Sequence, residues 1–104
     1  MSLKFGTGET VYDIFLSVDN LNNPVTATTF TVDVFKNGLV ETGVTVSTSL
    51  TDSSIGAFTG SWSANTIGTY QVSYKNDVTS VFFVTDTYCI VDDSELSTTV
   101  YVGL

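Results

Sequence analysis

Carboxylates are the main reactive side chains of this sequence, and the usual nucleophile pairs and phosphate-binding loops are missing from it. The chain contains no histidine, so it offers no Ser-His or Cys-His nucleophile pair and no histidine-based zinc site. The glycine pair in Gly6-Thr7-Gly8 has neither the preceding strand nor the G-K-[ST] ending that a phosphate-binding loop requires. We therefore predict no catalytic residues, no cofactor and no cofactor-binding residues.

Two of the aspartates, Asp33 and Asp77, are candidates for a glycosidase pair, because that reaction uses two carboxylates flanking the scissile bond. Alternation along the chain places Asp33 on the outward face of a strand, and Asp77 lies in a polar turn. Both carboxylates are therefore expected in solvent, without a deep cleft between them. We predict that the protein is not an enzyme.

The densest acidic run is Asp92-Asp93-Ser94-Glu95, with Asp86 a short distance before it. Calcium prefers clustered oxygen ligands, so this run is the best candidate for a cation site. Its spacing does not match the EF-hand pattern, and a solvated acidic turn is the favoured interpretation. We predict no metal site, and the sequence leaves open whether Asp92, Asp93 and Glu95 bind calcium.

The single cysteine, Cys89, lies in the apolar run Tyr88-Cys89-Ile90-Val91, so an intrachain disulfide is impossible. A reactive thiol needs positive charge nearby, whereas the charged residues closest in sequence are all aspartates. We predict that Cys89 packs as a small hydrophobic side chain, and its redox state stays open.

The charge of the chain is strongly negative, at −8 from three lysines, no arginine and eleven acids. Because phosphate contacts depend on Lys and Arg, we expect no nucleic-acid partner and no anionic membrane partner. No run approaches the roughly 18 apolar residues of a membrane span. The N-terminus also lacks the apolar region of a signal peptide, so none is predicted.

The elements that carry these side chains are predicted to be strands throughout. The chain has the length of one domain and is rich in Val, Thr, Ser, Phe and Tyr, while helix-favouring residues are scarce. Residues 56–84 form its organising stretch, with two alternating runs and a third run that is apolar on both faces. These runs are Phe58/Gly60/Trp62, Tyr70/Val72/Tyr74 and Val81 to Val84. They predict three consecutive antiparallel strands, with Trp62 at the centre of the core.

Three more strands are predicted before this stretch, over residues 10–18, 28–35 and 39–47. In the first of them, Tyr12, Ile14, Leu16 and Val18 share one face, and Val11, Asp13, Phe15 and Ser17 form a mixed, half-covered face. In the second, Phe30, Val32 and Val34 are expected to point inward. Asn37-Gly38 predicts a type I′ turn that leads to the third, in which Val44 and Val46 are core candidates. Residues 50–55 have no periodicity and are interpreted as the connection between two sheets.

The run Gly68-Thr69-Tyr70-Gln71-Val72 resembles the G-x-Y entrance to the sixth strand of immunoglobulin-like sandwiches. In that family the tyrosine bonds to upstream backbone, a role that the resemblance assigns to Tyr70. Val72 stands where antibody domains have their second cysteine, so the resemblance is to the disulfide-free immunoglobulin-like and fibronectin-III-like modules of bacteria and bacteriophages. It implies an all-β sandwich of two antiparallel sheets with about seven strands.

The predicted organisation is a flexible N-terminal segment (residues 1–9), an immunoglobulin-like domain (10–91) and a C-terminal tail or edge strand (92–104). The strand order stays open, as does whether residues 86–104 pair within the chain or with a neighbour. Strand-prone tails extend sheet edges of partners by backbone hydrogen bonding.

The function expected from this resemblance is that of a structural or binding module, foremost a bacteriophage virion accessory or decoration protein. It would assemble in the host cytoplasm and dock through sheet edges or its C-terminal strand. Its partners would be other protein subunits, either virion proteins or further copies in a homo-oligomer. The alternative is a carbohydrate-binding adhesion module of a bacterial cell surface, with Tyr74 or Phe35 contacting sugars. A small enzyme or metal-dependent regulator is the least favoured option.

Overall fold

The computed structural model describes residues 3–92, which form nine β-strands and contain no helix. The strands are β1 (Leu3–Gly6), β2 (Val11–Leu16), β3 (Phe30–Lys36), β4 (Leu39–Val40), β5 (Ser47–Asp52), β6 (Ala57–Trp62), β7 (Gly68–Asn76), β8 (Phe82–Val84) and β9 (Tyr88–Val91). None of these residues belongs to a helix that could span a membrane.

The strands are arranged in two sheets. The larger has the order β1-β9-β7-β3-β4, with β8 also paired to β7, and the smaller has the order β2-β6-β5. The all-β, two-sheet prediction is therefore confirmed. The strands number nine rather than about seven, and β1 and β9 pair in parallel, unlike the all-antiparallel sheets expected.

Aromatic contacts between the sheets form the core. The Trp62 ring of the smaller sheet lies 5.7 Å from the rings of both Tyr70 and Tyr88 in the larger one. Phe15 stacks on Tyr74 with a centroid distance of 4.5 Å. Trp62 is 3% exposed, which confirms its predicted place in the core. Paired aromatic rings add to the stability gained from their burial.

The three alternating runs of residues 56–84 do form strands, but they do not form one three-stranded unit. β6 belongs to the smaller sheet and β7 to the larger, so that prediction is wrong. Residues 63–67 connect the two sheets. The prediction failed because period-two alternation shows that a segment is a strand but does not show whether the next strand joins the same sheet or the facing one. Only β7 and β8 pair antiparallel as predicted.

The predicted boundary between sheets is also misplaced. Only Leu39–Val40 continues from the Asn37-Gly38 turn as a strand, and residues 41–46 make the crossing that was assigned to residues 50–55. β5, at Ser47–Asp52, shows no periodicity because it is exposed along its whole length at the edge of the smaller sheet. Val44 and Val46 do pack against the core. The predicted turn is confirmed by the positive φ angles of Asn37 (52°) and Gly38 (83°).

The predicted flexible segment 1–9 contains a strand that sequence reasoning missed. β1 pairs in register with β9, so the apolar run Tyr88–Val91 is also a strand. A strand therefore does precede Gly6-Thr7-Gly8, although the G-K-[ST] ending of a phosphate loop is still missing. The predicted tail lies outside the described residues from position 93 onward.

Candidate docking surface

The two faces of β2 differ sharply in exposure. Val11, Asp13, Phe15 and, just after the strand, Ser17 are buried. Tyr12, Ile14 and Leu16 are 66%, 73% and 56% exposed. The mixed face was expected to be half-covered, and it is instead the core face. Its polar members are tolerated there because each of them has buried hydrogen-bond partners.

Asp13 is the centre of a buried polar cluster. Its Oδ2 accepts hydrogen bonds from Trp62 Nε1 at 3.1 Å and from the Tyr74 hydroxyl at 2.5 Å, and its Oδ1 accepts one from the Tyr88 hydroxyl. The three donors come from β6, β7 and β9, so one carboxylate ties β2 to its neighbour and to the facing sheet. Every buried side-chain nitrogen and oxygen among residues 3–92 has a partner.

The two tyrosines of this cluster are held in their protonated form. Burial, followed by the hydrogen bond to Asp13 and its charge, raises the pKa of Tyr74 and of Tyr88 above the ordinary value. Tyr74 is 1% exposed and Tyr88 8%. A substrate in solution cannot reach hydroxyls in that position. The cluster therefore has a structural role, holding the two sheets together through hydrogen bonds. Sequence reasoning missed it; the available signal was a carboxylate between Val11 and Phe15.

A second polar link between the sheets lies four residues further along the chain, at Ser17. Asn76 Nδ2 donates to the Ser17 hydroxyl at 2.7 Å, and that hydroxyl donates to the Val25 carbonyl at 2.7 Å. The Oδ1 of Asn76 accepts from the backbone N–H groups of Val78 and Thr79 and so organises the turn that leads to β8. The inward face of β2 is thus fixed at both ends of the strand.

The outward face of β2 has the opposite character. We define the β2 stripe as Tyr12, Ile14 and Leu16, three large apolar side chains at two-residue spacing. Within residues 3–92, β2 pairs only with β6, so its other edge presents backbone N–H and C=O groups without a neighbouring strand. An apolar stripe beside an open strand edge is a template for another strand.

The surface next to the β2 stripe is also apolar. Val81, Phe82 and Val84 are all more than half exposed, and Phe83 stacks on Phe15 of β2 at 5.4 Å. A cavity of about 40 Å³ lies at this junction. That volume holds only a few water molecules, so the junction has no room for an enclosed small ligand.

A larger open cavity, of about 320 Å³, lies on the other side of the sandwich between β3, β4 and residues 41–46. Its lining is mainly valine with two carboxylates, from Asp33 and Glu41, and it includes no lysine. The volume is at the lower end of the range for small-molecule sites. It offers no cationic group to an anionic ligand.

The two glycosidase candidates are exposed, as predicted. Asp77 accepts hydrogen bonds from the Thr31 and Thr29 hydroxyls at 2.7 and 2.9 Å, and these bonds lower the pKa of its carboxyl. A general acid of a glycosidase needs a raised pKa. Asp77 is therefore unsuited to that role, and Asp33 stands on the open side of β3.

Among residues 3–92, no group of three or more His, Cys, Asp or Glu side chains is placed to hold a metal ion. Asp93, Ser94 and Glu95 lie outside the described residues, so the prediction about calcium at the acidic run is not tested.

Cys89 is only half-buried in β9, which is less than its predicted burial.

Tyr74 cannot contact a sugar from its position in the core, and that part of the adhesion hypothesis is wrong. Phe35 is partly exposed on β3. The hydrogen bond expected of Tyr70 is present, because its hydroxyl donates to the Thr66 carbonyl at 2.9 Å.

No family model, curated protein or solved structure matches the chain.

Proposed function

We propose that this chain is a non-catalytic binding module that docks onto protein subunits of a larger assembly through the edge of β2. The observation that carries the proposal is the β2 stripe, whose three apolar side chains are more than half exposed beside a strand edge with no further partner within residues 3–92. Contiguous exposed apolar side chains mark interaction sites, and open strand edges recruit further strands.

The polar core supports a binding role over a chemical one. The buried carboxylate of Asp13 is already bonded to the hydroxyls of Tyr74 and Tyr88. A chain built this way offers a partner rigid surfaces, since its reactive groups are committed to joining the sheets.

The assembly that we propose is a bacteriophage virion, with the chain as an immunoglobulin-like accessory or decoration module. The resemblance around Tyr70 and the charge of −8 support this choice, because like-charged copies stay apart until a specific contact brings them together. The second candidate is an adhesion module of a bacterial surface. Since Tyr74 is buried, Phe35, which is partly exposed, is the aromatic side chain that would contact the sugar.

Co-sedimentation tests the proposal and separates the two candidates. The full chain would be mixed with virions, or with cell envelopes, prepared from the same source. We expect the wild-type chain to pellet with virions and Ile14→Lys to stay in the supernatant, because a lysine in the middle of the β2 stripe interrupts it. Val40→Lys is the matched control, since Val40 is 67% exposed on the edge strand β4. Equal pelleting of both variants would contradict docking through β2, and pelleting with envelopes alone would favour the adhesion module.

A further inference from the structure

The β2 edge has features that point to one particular partner. Resting on the proposed function, which makes this edge the docking site, we propose that in the free protein the edge is covered by residues 97–104 of a second copy of this chain, and that an assembly subunit replaces this segment on docking. Each copy would add its C-terminal segment as a strand beside β2 of the other copy.

The first support is the spacing of apolar residues. Residues 97–104 read Ser-Thr-Thr-Val-Tyr-Val-Gly-Leu, with Val100, Val102 and Leu104 at two-residue intervals. The β2 stripe has the same interval. A strand laid beside β2 in matching register places these three side chains on the outward face, where they continue the stripe as cross-strand pairs.

The second support is charge. The protein carries −8, so most surfaces of two copies repel each other. Residues 97–104 contain no charged side chain, and the one charged residue of β2, Asp13, is buried. This segment therefore brings no charged side chain of its own against β2 of another copy.

The third support is topological and favours a second copy over the chain's own tail. β1 lies outside β9 in its sheet, and residues 7–10 connect β1 to β2, the edge strand of the other sheet. The β2 edge lies on the same side of the sandwich as β8 and β9, as the contacts of Phe15 with Phe83 and of Asp13 with Tyr88 indicate.

The connection from β1 to β2 passes over the end of β9, where Thr7 N–H donates to the Val91 carbonyl at 3.2 Å. To pair outside β2, the chain's own tail would have to cross that connection at the same end of the sandwich. Crossed connections of this kind are avoided in protein folds. A tail from a second copy approaches the edge from outside and crosses nothing.

The exchange predicts a two-fold dimer with two identical contacts, because each copy has one β2 edge and one C-terminal segment. The test uses the full chain in sedimentation velocity over a wide concentration range. Ile14→Lys disables the edge, Val102→Lys disables the segment, and Val40→Lys is the control. We expect the wild type and the control to dimerise, with each of the other two variants at least about tenfold weaker.

The decisive experiment mixes the Ile14→Lys and Val102→Lys variants. The edge of Val102→Lys and the segment of Ile14→Lys are both intact, so the mixture should form a heterodimer with one contact. Urea unfolding of each variant checks that folding is retained, and Ile14→Thr replaces Ile14→Lys if the lysine disturbs the fold.

Three results would overturn the second copy as occupant: a monomeric wild type, a dimer that survives both lysine variants, or a mixture that yields no heterodimer. If the wild type is monomeric and Ile14→Lys still abolishes virion binding, the inference fails and the proposed function stands. If the dimer behaves as expected and no particle binds, the proposed function fails and the inference stands.

Discussion

Asp13 illustrates how a single carboxylate can be a core residue. Its two oxygens accept from an indole N–H and two phenol hydroxyls on three different strands. An ionised carboxylate accepts several hydrogen bonds, and the partners of Asp13 are donors that are themselves too buried to bond water. Removing the acceptor therefore leaves several donors unsatisfied at once.

Asp13→Leu is expected to lower the free energy of unfolding by about 3 kcal/mol or more, since each unpartnered buried donor costs roughly 1–3 kcal/mol. Urea denaturation measures the change. Asp33→Leu makes the same replacement at an exposed strand position and should stay within about 0.5 kcal/mol of the wild type. A similar loss in both variants would show that the hydrogen bonds of Asp13 contribute little.

The tyrosines bonded to Asp13 should make the protein sensitive to alkali. The pKa of Tyr74 and of Tyr88 is raised in the folded state above the ordinary value of 10.0. Above about pH 10 the unfolded chain loses phenolic protons that the folded chain keeps, so stability is full below that pH and falls as the pH rises further. Urea midpoints at increasing pH measure this, and Tyr74→Phe should show a shallower decline than the wild type. An unchanged midpoint above pH 10 would contradict it.

At the scale of elements, β6 and β7 approach each other where Gly60 faces Tyr74. A Cβ at position 60 would lie 2.6 Å from Cζ of the Tyr74 ring, whose hydroxyl is held by Asp13. The ring cannot move aside without losing that hydrogen bond. The close packing of the sheets here depends on the missing side chain.

Gly60→Ala is therefore expected to destabilise the fold by about 1–3 kcal/mol, the usual cost of overpacking a core. Gly43→Ala is the control, because its Cβ would meet only the end of the flexible Glu41 side chain, at 2.7 Å. We expect that variant to stay within about 1 kcal/mol of the wild type. Thermal unfolding followed by circular dichroism compares the two, and equal midpoints would show that Tyr74 can shift freely.

The sequence predicts most strands of this fold but not their partners. Alternation located β3, β6 and β7, and Asn37-Gly38 located a hairpin. Alternation does not say which sheet a strand joins, so β6 and β7 were placed together although they face each other across the core. β5 was missed because an edge strand exposed on both faces has no apolar period. β1 was missed because four residues are too few for a pattern.

The docking surface was predicted only in part, and for a related reason. The two faces of β2 were assigned, but the apolar one, with Tyr12, Ile14 and Leu16, was not recognised as the outer face. Hydrophobicity favours burying that face, whereas the structure buries Asp13 because its donors arrive from strands 49 to 75 residues later in the chain. Such long-range partners cannot be inferred from local pattern.

At the scale of the whole molecule, the charge of −8 opposes association of copies. Added salt shortens the screening length from about 10 Å at 0.1 M to about 3 Å at 1 M, which weakens repulsion between exposed charges. We therefore expect the proposed dimer to become tighter as sodium chloride is added, measured by sedimentation velocity. Weaker association at high salt would instead indicate contacts between opposite charges.

Trp62 is the only indole of the chain, and its ring touches Tyr70 and Tyr88 while its N–H is bound to Asp13. Emission from an indole moves to longer wavelength when water reaches the ring. Separation of the two sheets would therefore shift the fluorescence emission of Trp62 to longer wavelength. The same signal reports whether the sheets stay packed in every variant that keeps Trp62.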